Sequence, residues 1–187
     1  MHKFAKTIFV LGGPACGKGT ACKSAEKTGK YYHISAGELL REQLNPELSA
    51  IINQHLLEGK IVPAKITVKL LELKMKTLGW NQRTFLIDGF PRNRDNYETW
   101  VSEMKEAEIE KVIYMNCDYK TTMERMISRN EGREDDSFQI LEKRYNTFLT
   151  QTLPLIEEFR TKRILREIDC SKTKEETYNN FINALNN

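Results

Sequence analysis

The stretch T-I-F-V-L-G-G-P-A-C-G-K-G-T at positions 7–20 decides the fold. Residues 7–11 form a short apolar run rich in β-branched side chains, which is typical of a buried strand. The turn residues at 12–14 end this run, and a segment of helical character begins at Lys18. From Gly12 onward the sequence reads G-x-x-x-x-G-K, the signature of a loop that cradles phosphate groups. The strand before the motif and the helix after it are the context that such a loop requires.

Each part of this phosphate loop has a physical task. Its glycines let the backbone form a nest of inward-pointing N–H groups, and the following helix presents the positive end of its dipole to an anion. Lys18 adds a mobile positive charge near the outer phosphates. A serine or threonine usually follows this lysine, but here Gly19 does, and the hydroxyl comes one residue later at Thr20. Whether Thr20 contacts a magnesium ion therefore stays open.

Strand-like and helix-like segments alternate along the rest of the chain. Four further short apolar runs, at 32–35, 84–88, 111–116 and 163–168, resemble the first strand. Helical character occurs at 18–27, 36–44, 47–58, 64–78, 95–107, 119–129, 138–162 and 174–185. Val68, Leu71, Met75 and Leu78 follow the 3-4-3 spacing of an amphipathic helix. This alternation predicts an α/β fold with a five-stranded parallel sheet flanked by helices, and three successive helices within 36–78 predict a helical insertion.

Composition narrows the class of protein further. A chain of 187 residues predicts one domain, and 29 basic minus 26 acidic residues gives a net charge of only +3. Such a balance argues against a protein that coats nucleic acid or an anionic membrane. The four cysteines form no C-x-x-C pair, so we expect reduced thiols in a cytoplasmic protein. The apolar run at 8–11 is too short for a signal peptide or a membrane span.

The loop G-G-P-x-x-G-K-G-T at 12–20 resembles that of the nucleoside monophosphate (NMP) kinases, the adenylate kinase-like family. Four further segments match this family in order: H-I-S-A-G-E-L-L-R at 33–41, G-K-I-V-P at 59–63, F-L-I-D-G-F-P-R-N at 85–93, and the basic residues between 125 and 144. The resemblance implies a three-layer P-loop NTPase fold. It also implies a core at 1–34, 64–128 and 137–187, an NMP-binding insertion at about 35–63 and a short lid at about 129–136.

The resemblance further implies transfer of the γ-phosphoryl group of ATP to a nucleoside monophosphate, with Mg2+ as the cofactor. Arginine suits this chemistry because its planar, permanent charge grips phosphate oxygens in pairs. By resemblance Arg41 and Arg92 hold the acceptor phosphate, and Arg133 and Arg144 bridge toward the transferred group. Catalytic roles fall on Lys18, Arg92, Arg125, Arg133 and Arg144. Asp88 resembles a carboxylate that anchors Mg2+ through water, and Thr20 is a second candidate contact for the metal.

Binding residues follow from the same resemblance. ATP is expected to contact Gly13, Ala15, Cys16, Gly17, Lys18, Gly19 and Thr20, with Arg129 stacking on the adenine and Lys172 near the same base. The monophosphate is expected to contact Ser35, Ala36, Arg41, Lys60, Ile61, Val62, Gly89, Phe90, Pro91, Arg92, Asn96, Arg133 and Arg144. The lid, R-N-E-G-R at 129–133, is about two residues shorter than expected even for short-lid members and has no cysteine, so no zinc is expected.

Two positions bear on the acceptor base. S-A-G at 35–37 and the Asn96 that follows P-R-N-R-D resemble the pyrimidine-directed members of the family, the UMP-CMP kinases, whereas AMP-directed members have a threonine and a glutamine there. The amide of Asn96 can present donors and an acceptor, and a rotation of this amide would suit either uracil or cytosine. The resemblance thus implies a kinase for UMP and CMP, with dCMP as a further acceptor.

Three alternatives remain at this stage. The first is an adenylate kinase that uses AMP, and kinetics with AMP separates it from the pyrimidine kinase. The second is a guanine-nucleotide switch, which lacks support because the sequence has no N-K-x-D string. The third is a non-catalytic nucleotide-binding module, which would be expected to have lost Lys18 or several of the arginines. Partners are expected to be small nucleotides, with no nucleic acid or membrane, and a monomer is expected. His2, His33 and His55 are interpreted as surface or packing residues.

Overall fold

The computed structural model of the chain describes residues 4–128 and 137–187. Its strands are Ala5–Leu11 (β1), Tyr31–Ser35 (β2), Thr84–Asp88 (β3), Ala107–Asn116 (β4) and Leu165–Asp169 (β5). Its helices are Lys18–Glu26 (α1), Ala36–Arg41 (α2), Pro46–Leu57 (α3), Ala64–Leu78 (α4), Arg94–Glu103 (α5), Tyr119–Ser128 (α6), Phe138–Thr147 (α7), Leu153–Thr161 (α8) and Lys174–Asn186 (α9), with a five-residue π turn, Phe148–Thr152, between α7 and α8.

All five strands are parallel and lie in the order β2-β3-β1-β4-β5. This arrangement is the predicted α/β fold with a five-stranded parallel sheet flanked by helices. Because β1 lies between β3 and β4, the chain first forms β2 and β3 on one side of β1. It then crosses to the other side of β1 to form β4 and β5. Ligands of open α/β sheets bind at such a switch point, outside the carboxyl ends of the strands. The phosphate loop follows β1 at this place.

The two faces of the sheet bury separate apolar cores. Along β1, Phe9 points to one face, where it packs with Trp100 of α5 and with apolar residues of α4 and α8. Ile8 and Val10 point to the other face, which is covered by α1 and α9. Alternate residues of a strand face opposite sides, so the continuous apolar run of β1 reflects burial on both faces.

A third, smaller core lies in the segment between β2 and β3. Leu40 of α2 and two residues of α3, Ile52 and Leu56, pack together with Val62, and all four are at most 5% exposed. The helices start at side-chain caps, because Ser35 Oγ accepts from the N–H of Glu38 and an asparagine caps α3 in the same way. The segment thus has apolar packing of its own.

The boundary between α5 and β4 differs from the sequence prediction. The helix predicted at 95–107 ends at Glu103, and Ala107 instead begins β4, where it pairs with Ala5 of β1. The outer half of β4 alternates between exposed and half-buried residues, so the apolar run that predicted the strand covers only its buried inner half. No helix within the described residues is long and apolar enough to cross a bilayer.

Candidate active site

A cleft of about 940 Å3 opens at the carboxyl ends of β1 and β3. The phosphate loop forms its floor, α2 and the segment after α3 form one wall, and α7 with the π turn forms another. The predicted site residues that line it are Ala15, Cys16, Gly17, Lys18, Gly19, Thr20, Ser35, Arg41, Lys60, Ile61, Asp88, Gly89, Pro91, Arg92, Arg125 and Arg144. Residues from six separate segments of the chain thus meet in one cavity.

The phosphate loop is tightly folded around Lys18. The ammonium of Lys18 donates to the carbonyl oxygens of Gly12 (3.0 Å) and Gly13 (2.7 Å) and lies 3.5 Å from Cys16 Sγ. Gly17 has a φ of 96°, in the left-handed region that favours glycine. A Cβ at Gly12 would lie 2.6 Å from the carbonyl oxygen of Met115, so the loop packs directly on the end of β4. In this state the lysine bonds to the loop itself.

Asp88 places a carboxylate beside the phosphate loop. It ends β3, is 6% exposed, and its Oδ2 lies 3.5 Å from where a Cβ of Gly19 would stand. His33 Nε2 lies 3.4 Å from the same oxygen, and both side chains are buried. The pairing of β2 with β3 brings His33 to Asp88. No local sequence pattern specifies this pairing, so His33 was expected only to be a surface or packing residue.

Two arginines converge beside α2. A Cβ at Gly37 would lie 3.1 Å from Arg41 Nη1 and 3.6 Å from Arg92 Nη2, so glycine leaves the space that both guanidinium groups use. Burial, and then the charge of Arg41, lower the pKa of Arg92, while the nearby Asp88 raises it. Two neighbouring positive charges of this kind are costly unless an anion neutralises them, which makes the pair a candidate phosphate grip.

Hydrogen bonds hold both the main chain and the guanidinium group of Arg92. Its N–H donates to Asn96 Oδ1 (3.2 Å), its Nε donates to the carbonyl of Gly89 (3.0 Å), and its carbonyl accepts from Thr152 Oγ1 (2.6 Å). Asn96 is 2% exposed, and its Nδ2 has no hydrogen-bond partner within the described parts of the chain. Rotating this amide would place Nδ2 against the N–H of Arg92, and two donors repel. The structure therefore disfavours the rotation of the Asn96 amide that would suit either uracil or cytosine.

The remaining cations reach the cleft from other elements. Arg125 of α6 lies 3.7 Å from Cys117 Sγ through Nη1, and its Nη2 lies 3.5 Å from the carbonyl oxygen of Lys172. Arg144 projects from α7. Lys60 pairs with Glu58 at 2.6 Å on the rim. Among the described residues, no group of three histidine, cysteine or acidic side chains is arranged to hold a metal.

Several predicted site residues lie away from the cleft wall. Phe90 is 1% exposed and packs on Phe9 and Trp100, and Val62 belongs to the small core beside α3. The others that do not line the cleft are Gly13, Ala36, Asn96 and Lys172. Arg129 and Arg133 lie outside the described residues, as does the whole predicted lid at 129–136.

The cysteines are closer together than their sequence positions suggest. Cys16, Cys22 and Cys170 are buried in the core beneath the phosphate loop, and Cys117 packs against the same core. Burial raises the pKa of the Cys22 thiol and raises that of Cys170 to about 12. A buried thiol with a raised pKa is a poor nucleophile, so these two side chains are filling residues of the core.

A strand, a G-x-x-x-x-G-K loop and a helix beside a basic cleft define the class of phosphate-loop nucleotide-binding proteins. A family model described as adenylate kinase matches residues 10–164, and the chain belongs to this family. It is 42% identical over 185 residues to the UMP-CMP kinase of Homo sapiens, with 94% of each chain covered. It is 41% identical to the probable UMP-CMP kinase 1 of Arabidopsis thaliana (94% and 86% covered) and 39% identical to UMP-CMP kinase 2 of Caenorhabditis elegans (91% of each).

Proposed function

We propose that this chain is a pyrimidine nucleoside monophosphate kinase, which transfers the γ-phosphoryl group of ATP to UMP or CMP and releases ADP and the nucleoside diphosphate. The observation that carries the proposal is that two candidate phosphate-binding sites lie in one cleft. The loop around Lys18 is the first, and the guanidinium pair of Arg41 and Arg92 is the second. Relatives named UMP-CMP kinase, at about 40% identity over nearly the whole chain, support the choice of acceptor.

The chain's own residues would divide the work of the transfer. The loop N–H groups and Lys18 hold the ATP phosphates, and Lys18 exchanges its bonds to Gly12 and Gly13 for phosphate oxygens. Arg41 and Arg92 hold the acceptor phosphate in line with the γ-phosphorus, and Arg144 faces the transferred group from α7. Positioning and charge stabilisation dominate phosphoryl transfer, so no strong base is required. Arg125 would support the ATP side, Arg129 would stack on the adenine, and Arg133 would bridge toward the transferred group, as the resemblance implies.

The residues present fit a magnesium ion held through water. Mg2+ keeps several water ligands and binds one or two carboxylates together with substrate phosphates. Asp88 offers such a carboxylate beside Gly19, and Thr20 offers a hydroxyl at the same end of the loop. When bound, the ion would neutralise charge on the β- and γ-phosphates. Asp88 would hold the ion through its water ligands, and His33 contacts the Asp88 carboxylate.

Asn96 supports a pyrimidine acceptor. A buried donor without a partner costs about 1–3 kcal/mol, and Nδ2 of Asn96 is such a donor within the described residues. Uracil O4 and cytosine N3 are acceptors that would satisfy it. The Asn96 side chain lies behind the turn 89–93, which carries Arg92, and does not line the cleft. The base would therefore have to insert toward α5 to reach it.

Steady-state kinetics with a panel of acceptors tests the proposal. Purified protein with ATP and Mg2+ is given UMP, CMP, dCMP or AMP, and the consumption of ATP is followed for each, because transfer to AMP yields two ADP. We expect kcat/KM for UMP or CMP to exceed that for AMP by at least about tenfold, as one well-made base contact supplies. A higher value for AMP would show an adenylate kinase instead, and equal ADP formation without any acceptor would show an ATPase.

A further inference from the structure

The helix that carries Arg144 continues through the π turn, and three of its cleft residues are spaced by four. Arg144, Phe148 and Thr152 all line the cleft. Phe148 packs beneath the phosphate loop, where its ring lies 3.7 Å from where a Cβ of Gly13 would stand. The helix therefore contacts the phosphate loop through Phe148, and it contacts the turn between β3 and α5, which carries Arg92, through Thr152.

The π turn explains how these three side chains share a face. An α-helix has 3.6 residues per turn, so side chains four apart drift by about 40° and those eight apart by about 80°. Between Phe148 and Leu153 the N–H of Leu153 instead bonds to the carbonyl five residues earlier. This wider turn holds more residues and offsets the drift, and single π turns are frequent at functional sites. Thr152 consequently faces the cleft together with Arg144.

Thr152 makes a short and specific contact from this position. Its hydroxyl donates to the carbonyl oxygen of Arg92 at 2.6 Å, across 60 residues of sequence, and the side chain is 6% exposed. The other two bonds that fix Arg92 come from Gly89 and Asn96, which are its neighbours in the chain. Thr152 thus ties the turn that carries Arg92 to the helix that carries Arg144.

We infer that Thr152 is a positioning residue for the acceptor phosphate, and that the π turn is the device that brings its hydroxyl to Arg92. The inference rests on the proposed function, in which Arg92 grips the acceptor. Without the hydroxyl, the Arg92 carbonyl loses its partner on the helix side, and the guanidinium samples orientations that miss the phosphate. ATP binds on the phosphate loop and does not depend on this bond.

The test compares four proteins: wild type, Thr152→Val, Thr152→Ser and Thr150→Val. Valine keeps the shape of threonine and removes the hydroxyl, whereas serine keeps it. Thr150 is the matched control, because its hydroxyl donates to Asn146 within the same helix and touches no cleft residue. For Thr152→Val we expect the acceptor KM to rise by about tenfold, the loss expected for one buried hydrogen bond. The ATP KM should stay within about twofold, and serine should restore the acceptor KM.

Two results would overturn the inference. One is a Thr152→Val protein whose acceptor KM matches that of Thr150→Val. The other is an equal rise of both KM values with a lower melting temperature, which serine does not restore, since this describes loss of packing alone. Calorimetric binding of UMP, CMP and AMP to the same proteins without ATP gives an independent readout. If the wild type prefers AMP, the proposed function fails, yet the same comparison with AMP still decides the role of Thr152.

Discussion

At the scale of single residues, Lys18 is a side chain whose hydrogen-bond partners we expect to change when a nucleotide binds. Its ammonium donates to two carbonyl oxygens of the phosphate loop, and these bonds hold the positive charge beside the loop. A phosphate oxygen is a stronger, charged acceptor than a carbonyl, so a bound nucleotide would draw the lysine out of the loop. The cost of the switch is small because one pair of hydrogen bonds replaces another.

Replacing this lysine tests its role directly. We expect Lys18→Met to lower kcat by at least about a hundredfold, as is typical when one oriented transition-state contact is lost. The melting temperature should change little, because the lysine's bonds are local to the loop. Lys27→Met, at the exposed end of α1, is the control and should retain wild-type rates. Equal rates for the two variants would remove Lys18 from the reaction.

Asn96 offers a sharper test of base recognition. In Asn96→Asp an oxygen remains to accept from the N–H of Arg92, but the unpartnered Nδ2 donor disappears. We expect kcat/KM for UMP and CMP to fall by at least about tenfold. Asn93→Asp is the matched control one turn earlier, since its side-chain oxygen still caps α5. If both variants lose activity equally, Asn96 anchors the turn without reading the base.

At the scale of elements, the segment after α3 and the helix α7 form a direct contact. Gly59 has a φ of 68°, and a Cβ there would lie 2.9 Å from Lys143 Cβ. The hydroxyl of Thr147 also donates to the Gly59 carbonyl at 3.2 Å. One wall of the cleft is therefore packed on the helix that carries Arg144. We therefore expect a displacement of this wall to shift that arginine.

Gly59→Ala tests this contact, with Gly29→Ala as the control. Gly29 has a similar φ of 76° but open space around its Cβ position, so alanine there carries only the backbone strain of about 1–2 kcal/mol. We expect Gly59→Ala to lower the unfolding free energy by at least about 1 kcal/mol more, and to lower kcat/KM because α7 must move. The measurements are chemical denaturation and steady-state kinetics. Equal losses of stability with unchanged kinetics would contradict the proposed coupling of wall and helix.

The elements also show which parts of the site could be predicted from the sequence. The phosphate loop and Asp88 follow strand ends, and local apolar runs reveal such ends. Phe90 and Val62 belong to matching motifs, but their apolar side chains pack into cores instead. The π turn has no signature in a 3.6-residue periodicity, so the role of Thr152 needed the structure. His33 reaches Asp88 only through the pairing of β2 with β3, which no local pattern specifies.

At the scale of the whole molecule, the distribution of charge matters more than its sum. The net charge is only +3, yet the cationic residues that line one cleft include Lys18, Arg41, Arg92, Arg125 and Arg144. A concave, positively charged site attracts anionic ligands and strengthens their binding. Some of the acidic residues that offset this charge lie in surface ion pairs, such as Glu72 with Lys69 and Lys76. The alternation of strands and helices could be read from the sequence, whereas this convergence depends on the strand order.

The most direct test of the account is a competition among acceptors in one tube. Limiting ATP with Mg2+ is mixed with equal concentrations of UMP, CMP and AMP, and the initial rates of UDP, CDP and ADP-from-AMP formation are measured by labelling each acceptor. The account predicts that labelled UDP and CDP together form at least about ten times faster than labelled ADP, and that Arg92→Ala slows both pyrimidine products by at least about a hundredfold. Preferential labelling of ADP, or pyrimidine rates unchanged by Arg92→Ala, would contradict it.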